Sequence, residues 1–260
     1  MKMKKVVKVF LGLAGVFILA IVAVFFFTAD MVKSADGFFV AVRNKDMGKA
    51  ATYLSDDFQA STSQSDLELY LEKNLINKFK EANWESRSIN GNRGSLIGSI
   101  TTESGGVVPI TLSFVKGENG WKIYSIQKPS SGIQEESSPA EMPSEQEQVQ
   151  LASKSMQIFA ESVNEKSMVK FYSHFSNLWQ QQSSIEQIDE AFSDFYDIGV
   201  DLTVLGNYTP QFKVKSSIDE NGALTITGFY PTKPDQVHFE QNYIYEGLGW
   251  KLMGFSVRIQ

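Results

Sequence analysis

Apolar residues fall at helical spacing in two stretches of the chain, and short alternating apolar runs follow each stretch. The helical positions of the first stretch are Ala35, Phe38, Phe39 and Val42, then, behind a Ser65/Glu68 capping box, Leu67, Leu71, Leu75 and Phe79. After Trp84 the alternating positions are Val108, Ile110, Leu112 and Phe114, ahead of a Glu118-Asn119-Gly120 turn. With a short helix behind Asp46 as its N-cap, the pattern predicts three helices followed by an antiparallel meander, an α+β layout.

The second stretch has the same order of elements. Its first predicted helix carries Met156, Phe159 and Val163, and Ser167 is the expected N-cap of the next helix. A third helix, behind a Ser184/Gln187 capping box, carries Ile188, Phe192, Phe195 and Tyr196. The strand-like runs end with Val237, Phe239, Tyr243, Tyr245 and residues 250–259. We therefore expect a second three-helix and meander unit.

The two stretches repeat each other at a constant spacing of 121 residues. The residues that recur unchanged are Ser34, Phe38, Val42, Lys45, Met47, Lys49, Ser55 and Gln59, as Ser155, Phe159, Val163, Lys166, Met168, Lys170, Ser176 and Gln180. Further on, Gly120-Trp121-Lys122 recurs as Gly249-Trp250-Lys251. A period this long is too large for a solenoid turn and matches a whole domain, so it predicts two tandem domains.

The N-terminus has the pattern of a membrane anchor. Residues 9–29 are uncharged and mostly apolar, which is enough for a helix to span a bilayer, and four lysines precede them. The alternative is a cleaved signal peptide, but its apolar region is shorter and Phe25-Phe26-Phe27 is too bulky for a cleavage site. The lysines predict a cytoplasmic N-terminus. The expected location is the inner (plasma) membrane, single-pass, with the C-terminal domains periplasmic or extracellular.

The charge and the amino-acid composition exclude several classes of function. The formal net charge is −6 although the N-terminal tail is basic, so the predicted domains are acidic and unsuited to nucleic acid. The chain has no cysteine, which excludes disulfides, thiolate metal sites and cysteine nucleophiles. Ser, Pro, Glu and Gln dominate residues 128–152 and predict a flexible acidic linker. The predicted segments are a basic tail, a transmembrane helix, a first domain, the linker and a second domain: 1–8, 9–29, 30–127, 128–152 and 153–260.

Three helices leading into a meander whose last strand begins Gly-Trp-Lys resemble the nuclear transport factor 2-like (cystatin-like, ketosteroid-isomerase-like) superfamily. The resemblance also rests on Phe38 and Phe159, and on the segments at Lys45 and Lys166 that lead into the second helix of each stretch. It implies cone-shaped domains, each with three N-terminal helices packed on a curved antiparallel sheet. The expected fold class is α+β, with two tandem cones and one N-terminal transmembrane helix. The family hosts enzymes and inert binding modules alike, so the resemblance does not decide activity.

Candidate chemistry is sparse. Members of this family that are enzymes generally use Asp, His or Tyr inside the cone, but the chain has only two histidines. His174 lies in a short helix, and His238 alternates out of phase with its apolar neighbours, so we expect it to face solvent. Asp46 has a sufficient role as a cap, and the second stretch does not repeat Asp56 or Asp57. We therefore predict no catalytic residue, no metal ligand and no cofactor.

One segment of the second stretch has no counterpart in the first. Residues 228–236 contain two prolines and two adjacent aromatic residues, a composition that can present side chains at low entropic cost. The alternative is an ordinary wide hairpin whose aromatic residues fold back onto the core. The candidate contact residues of this loop are Phe229, Tyr230, Lys233 and Gln236.

The function expected from these patterns is a membrane-anchored, extracytoplasmic, non-catalytic scaffold or binding module of a bacterial envelope assembly. Its expected partners are the membrane, through the N-terminal helix, and a protein of the cell envelope. The alternative is an enzyme or carrier for a small apolar molecule bound inside one cone. A sizeable pocket with an inward Asp, His or Tyr distinguishes the alternative from the binding module.

Overall fold

Residues 28–129 and 141–260 are described by the computed structural model, and their contacts divide them into two units. The first unit contains the described residues up to Ser55 together with Gln64–Lys128. The second contains Asp56–Ser63 and the described residues from Pro129 onward. Each unit has its own antiparallel sheet, four-stranded in the first and five-stranded in the second. The protein is therefore of the α+β class.

In the first unit the helices precede the sheet. The bounds are α1 (residues 28–43), α2 (Met47–Ala51), α4 (Gln64–Lys73), a 3-10 helix (Ile76–Lys78), β1 (Phe79–Asn90), β2 (Arg93–Thr102), β3 (Val107–Gly117) and β4 (Gly120–Gln127). The sheet is a simple meander in the order β1-β2-β3-β4. Helix α3 (Asp56–Ser61) falls in the part of the chain that groups with the second unit.

The first core lies between α1 and the sheet. The ring of Phe39 stacks on Phe79 and Trp84, with centroids 5.1 Å and 6.4 Å apart. Leu67 and Leu71 of α4 are buried, as predicted, but Leu75 is exposed and has a left-handed φ of 58°. That conformation does not continue an α-helix, so α4 ends at Lys73 and Phe79 starts β1. The predicted helical series is therefore wrong for its last two members.

The second unit also places its helices ahead of its sheet. The bounds are α5 (Glu145–Asn164), α6 (Val169–Ser173), α7 (Asn177–Gln180), α8 (Ile185–Phe192), 3-10 helices (Ser193–Asp197 and Leu202–Asn207), β5 (Gln211–Phe212), β6 (Ser217–Ile218), β7 (Ala223–Tyr230), β8 (Val237–Glu246) and β9 (Gly249–Ile259). The strand order is β5-β7-β8-β9, and β6 also pairs with β7. Ser144 and Glu147 form a capping box that starts α5 inside the predicted linker, of which residues 130–140 are outside the described part.

The predicted fold class is wrong in its helices. Between residues 145 and 192 the second unit has four α-helices ahead of its sheet rather than three, because Ser176 caps the additional helix α7 by accepting from the Trp179 amide. Helix α7 is a single turn, too short to show a helical period in the sequence. Within residues 28–129 and 141–260, no helix has both the length and the apolar composition needed to cross a bilayer. Most of the predicted membrane span, residues 9–27, lies outside the described residues.

Local backbone features recur at positions that the sequence repeat relates. Lys45 and Lys166 both adopt left-handed φ values, 58° and 50°. The β3–β4 and β8–β9 pairings both shift register, between Ser113 and Phe114 and between Asn242 and Tyr243. Isolated parallel bridges join Leu54 to Ile123 and Phe175 to Leu252. The two units therefore share unusual backbone geometry at corresponding positions.

The units differ at the outer edge of the sheet. In the first unit the outer strand β1 is continuous over 12 residues. In the second unit the corresponding edge consists of β5 and β6, each two residues long, and a 3-10 helix over Leu202–Asn207 precedes them. This is the part of the second unit that the repeat does not account for.

Candidate functional site

The predicted contact loop joins β7 to β8, and the structure does not bring its four candidate side chains together. Tyr230, at the end of β7, is only 1% exposed and lies in the core. Phe229 points to the opposite face, where its ring stacks on His238 with centroids 5.5 Å apart. Lys233 is exposed, and the backbone of Gln236 pairs with that of Gln260. The loop residues Phe229, Lys233 and Gln236 stay predicted contact residues, whereas Tyr230 faces inward.

The inward side chain of Tyr230 lines a pocket of about 80 Å³ in the second unit. The other lining residues are Ser153, Met156 and Gln157 of α5, and Leu205, Gly206 and Tyr208. The Tyr230 hydroxyl hydrogen-bonds to Ser153, and burial raises the pKa of Tyr230 to about 12. The pocket therefore combines buried apolar side chains with a Tyr230 hydroxyl that is hydrogen-bonded to Ser153.

A polar network crosses the core of the same unit. Ser155 Oγ on α5 lies 3.0 Å from His174 Nε2 and 2.8 Å from Tyr243 Oη on β8. Tyr243 Oη lies 2.6 Å from Gln241 Oε1 and 2.9 Å from the Leu151 carbonyl oxygen. Because Ser155 and Gln241 are 0% exposed, these hydrogen bonds replace contacts with water that burial removes.

The acceptors around Tyr243 determine which group donates and which accepts in each hydrogen bond of the network. Gln241 Nε2 donates to the Ala152 carbonyl at 3.3 Å, so its Oε1 atom faces Tyr243 as an acceptor. Leu151 also offers an acceptor, and the single hydroxyl proton of Tyr243 must serve these two oxygens. Ser155 then donates its proton to Tyr243 and accepts from the Nε2–H of His174. The network assigns the Nε2–H tautomer to His174 and leaves Nδ1 as the nitrogen that titrates.

Burial sets the protonation states of this network. It lowers the pKa of His174 to about 4, with further lowering from the positive charges of Lys154 and Lys251. Burial likewise raises the pKa of Tyr243. At neutral pH both side chains are therefore uncharged, which is compatible with the hydrogen-bond directions.

Ser155 and His174 have the spacing of a nucleophile and its base, but not the access. Ser155 is fully buried, so no substrate reaches its hydroxyl, and its proton is donated to Tyr243. A histidine with a pKa of about 4 is also a weak base at neutral pH. The contacts describe a structural network that ties α5 and α6 to β8.

The remaining candidate residues are dispersed. Asp46 caps α2 by accepting from the Lys49 amide at 2.9 Å, as predicted, and Asp56 and Asp57 lie in the first turn of α3. His238 lies on the sheet face opposite the buried Val237 and Phe239, half-covered by Phe229. Over the described ranges, no group of three or more His, Asp or Glu side chains has an arrangement that could hold a metal ion.

The sequence interpretation missed the Ser155 network, although one signal for it was present. Ser34 and Ser155 are a repeated pair, but Ser34 donates to the Trp121 carbonyl at 2.7 Å instead. Aligned on their register shifts, Phe114 and Leu112 of β3 correspond in position to Tyr243 and Gln241 of β8. Polar residues that replace buried apolar ones in one copy of a repeat indicate a buried network there.

Comparisons with known proteins give little further information. No protein-family model matches the chain, and no curated protein matches it. A solved structure similar to this chain is a cystatin-like protein from Ruminococcus gnavus. It is 11% identical, the match covers 89% of this chain and 93% of that one, and the TM-score is 0.28. A TM-score this low carries no argument about fold or function.

Proposed function

We propose that this chain is a non-catalytic binding module built from two tandem copies of a nuclear transport factor 2-like domain. The tandem arrangement is supported by the sequence repeat and by backbone details at repeat-related positions, such as the left-handed Lys45 and Lys166. Helices ahead of an antiparallel meander, in both units, support the assignment to this family. The partner in this proposal is a protein.

The observation that carries the proposal is the closed hydrogen bonding of the second core. Ser155, His174, Tyr243 and Gln241 bind one another or the backbone, and Ser155 is inaccessible. Catalysis needs an accessible nucleophile or base near a substrate position. These groups instead stabilise the fold, which favours a protein that works by presenting surfaces.

The alternative function, a carrier or enzyme for a small apolar molecule, has weaker support. Pockets for drug-sized ligands usually have volumes of about 300–1,000 Å³. The pocket beside Tyr230 measures about 80 Å³, well below that range. The envelope location and the membrane contact stay predictions from the N-terminal sequence, because residues 1–27 lie outside the described part of the chain.

Replacement of Ser155 by alanine is expected to leave ester hydrolysis unchanged. We expect the wild type and Ser155→Ala to hydrolyse p-nitrophenyl acetate within twofold of each other, because the Ser155 hydroxyl is buried. General base catalysis by His174 through Ser155 would instead contribute about 10²–10⁴-fold. Ser173→Ala, which removes an exposed hydroxyl from α6, is the matched control. A loss of tenfold or more that is specific to Ser155→Ala would refute the non-catalytic assignment.

Photo-crosslinking in the native cell tests binding directly. A benzoylphenylalanine side chain at Lys233 of the predicted loop, or at Tyr208 beside the pocket, is expected to form a covalent adduct with one protein. The same side chain at exposed Glu118, in the β3–β4 turn of the first unit, is the control and is expected to form none. Absence of protein adducts at both Lys233 and Tyr208 would contradict a protein-binding role.

A further inference from the structure

The pocket beside Tyr230 lies where the second unit departs from the first. Leu205 and Gly206 of its wall come from the 3-10 helix Leu202–Asn207. That helix precedes the short strands β5 and β6, which take the place of the continuous strand β1. A site formed by this segment is therefore specific to the second unit and is not a general property of the repeated fold.

The size of the pocket selects the kind of occupant. A volume of about 80 Å³ is several times the roughly 10–15 Å³ that one enclosed water needs in the same measure. It is also well below the roughly 300–1,000 Å³ of pockets for drug-sized ligands, so it suits a group the size of one side chain. A free molecule with so few atoms gains little binding energy, since each non-hydrogen atom contributes only a limited amount. A side chain on a larger contacting surface uses the pocket as an anchor instead.

The lining of the pocket favours an aliphatic occupant. Met156, Leu205 and the ring of Tyr230 are buried and form an apolar floor. The hydroxyl of Tyr230 is hydrogen-bonded to Ser153, so it can be covered by an apolar group without losing its partner. No lining residue is charged.

The surroundings of the pocket indicate a polypeptide partner. On the same segment, Val204 and Tyr208 are 43% and 42% exposed, so the segment that forms part of the pocket also presents apolar side chains to solvent. Residues 141–260 contain 16 Asp and Glu against eight Lys and Arg. This charge attracts basic segments, repels acidic ones and does not oppose neutral ones.

We propose that the pocket is the anchor site for one Val, Leu or Ile side chain of a partner polypeptide whose flanking residues are neutral or basic. The proposal rests on the binding function proposed above and names the chemistry of the partner segment. Tyr208 and Val204 contact the residues that flank the anchor, and Met156 contacts its methyl groups.

The test uses the full chain with ¹³C-methyl methionine and N-acetyl-leucinamide as the probe. We expect the Met156 methyl resonance, assigned with Met156→Leu, to move on titration, and N-acetyl-serinamide to shift it at least fivefold less. Gly206→Leu is expected to reduce the shift, because it adds a side chain to a pocket-lining residue whose Cβ position has no atom within 4 Å. Tyr208→Ser reduces the shift about fivefold without adding bulk. Val169→Ser, at an exposed residue of α6 outside the pocket, leaves it unchanged.

The anchor assignment is overturned if the Met156 methyl does not move, if it responds equally to both amides, or if both Gly206→Leu and Tyr208→Ser leave the response intact. Failure of the two proposals can be told apart. Crosslinks at Lys233 or Tyr208 without a Met156 response keep the binding module and remove the anchor site. A Met156 response without crosslinks at either position keeps a site for small aliphatic groups and removes the protein-binding function.

Discussion

Truncation of Phe159 to alanine is expected to lower the free energy of unfolding of the second unit by about 3–5 kcal/mol. Phe159 is fully buried on α5. The rings that surround it, with centroids within 5.4 Å, are those of Phe171, Phe192, Phe195 and Phe255. Truncation leaves a cavity between elements that are rigidly packed, and it also removes favourable edge-to-face contacts.

Urea unfolding of the chain labelled with 5-fluorotryptophan measures this loss in each unit separately. Trp179 and Trp250 report on the second unit, whereas Trp84 and Trp121 report on the first. Phe159→Ala is expected to move the unfolding transitions of Trp179 and Trp250 to lower urea concentration and to leave those of Trp84 and Trp121 in place. Observing two pairs avoids the assumption that the whole chain unfolds in one step.

The repeat supplies a matched control for Phe159→Ala. Phe38 occupies the corresponding position of the first unit, is also fully buried, and has the Phe39 ring 5.3 Å away. Phe38→Ala is expected to shift the signals of Trp84 and Trp121, and Val169→Ala, at an exposed position, to shift none by more than about 0.5 kcal/mol. A loss below about 1.5 kcal/mol for Phe159→Ala would mean that the aromatic cluster does not stabilise the second unit as described.

The second large effect is a loss of stability on acidification that originates at His174. Unfolded His174 takes up a proton as the pH falls through about 6.5, whereas the folded side chain resists until about pH 4. Between these values the unfolded state binds more protons, so stability falls as the pH falls. The difference of roughly 2.5 pKa units corresponds to a loss of about 3 kcal/mol, complete below pH 4 and absent above pH 7.

The measurement is the free energy of unfolding of the wild type and of His174→Gln between pH 7 and pH 4. Gln offers an amide N–H to Ser155 but does not titrate, so the stability difference between the two proteins isolates His174 from the carboxylates. We expect the stability difference between wild type and His174→Gln to change by about 3 kcal/mol over this pH range. The corresponding difference for His238→Gln is expected to change less, because the His238 ring is only half-buried and its pKa is less perturbed. Parallel pH profiles for wild type and His174→Gln would contradict a buried neutral histidine.

NMR spectra of the wild-type protein test which nitrogen of His174 donates to Ser155. In ¹⁵N spectra at neutral pH, His174 is expected to show a protonated Nε2 and an unprotonated Nδ1. Lys154→Gln is expected to raise the pKa of His174, because it removes one of the two positive charges that lower it. A protonated Nδ1 at neutral pH would reverse the assigned donor at Ser155.

Particular residues show which helix boundaries the sequence pattern could predict and which it could not. Asp46 and the Ser184/Gln187 capping box start helices where the sequence predicts them, because capping depends only on residues within one turn. Leu75 matches a helical period, yet its left-handed backbone ends α4, and a period says nothing about φ. The short helices α3 and α7 escape detection since a segment of four to six residues carries too little periodicity.

The candidate sites depend even more on tertiary structure. Tyr230 was a predicted loop contact, but the alternation along β7 turns it into the core and beside the pocket. His174 showed no local sign of a function. Its partner Ser155 lies 19 residues away in sequence, and Tyr243, the next group of the network, lies 88 residues from Ser155. Only packing of α5 and α6 against β8 brings these three residues together.

The amino-acid sequence by itself determined what depends on local or periodic order: the repeat, the α+β class, the order of helices before strands and the helix starts at Asp46 and Ser184. The tertiary structure alone decided which polar groups are buried together, which aromatic residue lines the pocket, and where the second unit departs from the first. The physical reason is that hydrogen bonding, desolvation and cavity formation depend on distances between residues remote in sequence. No pattern along one chain specifies those distances until the chain is folded.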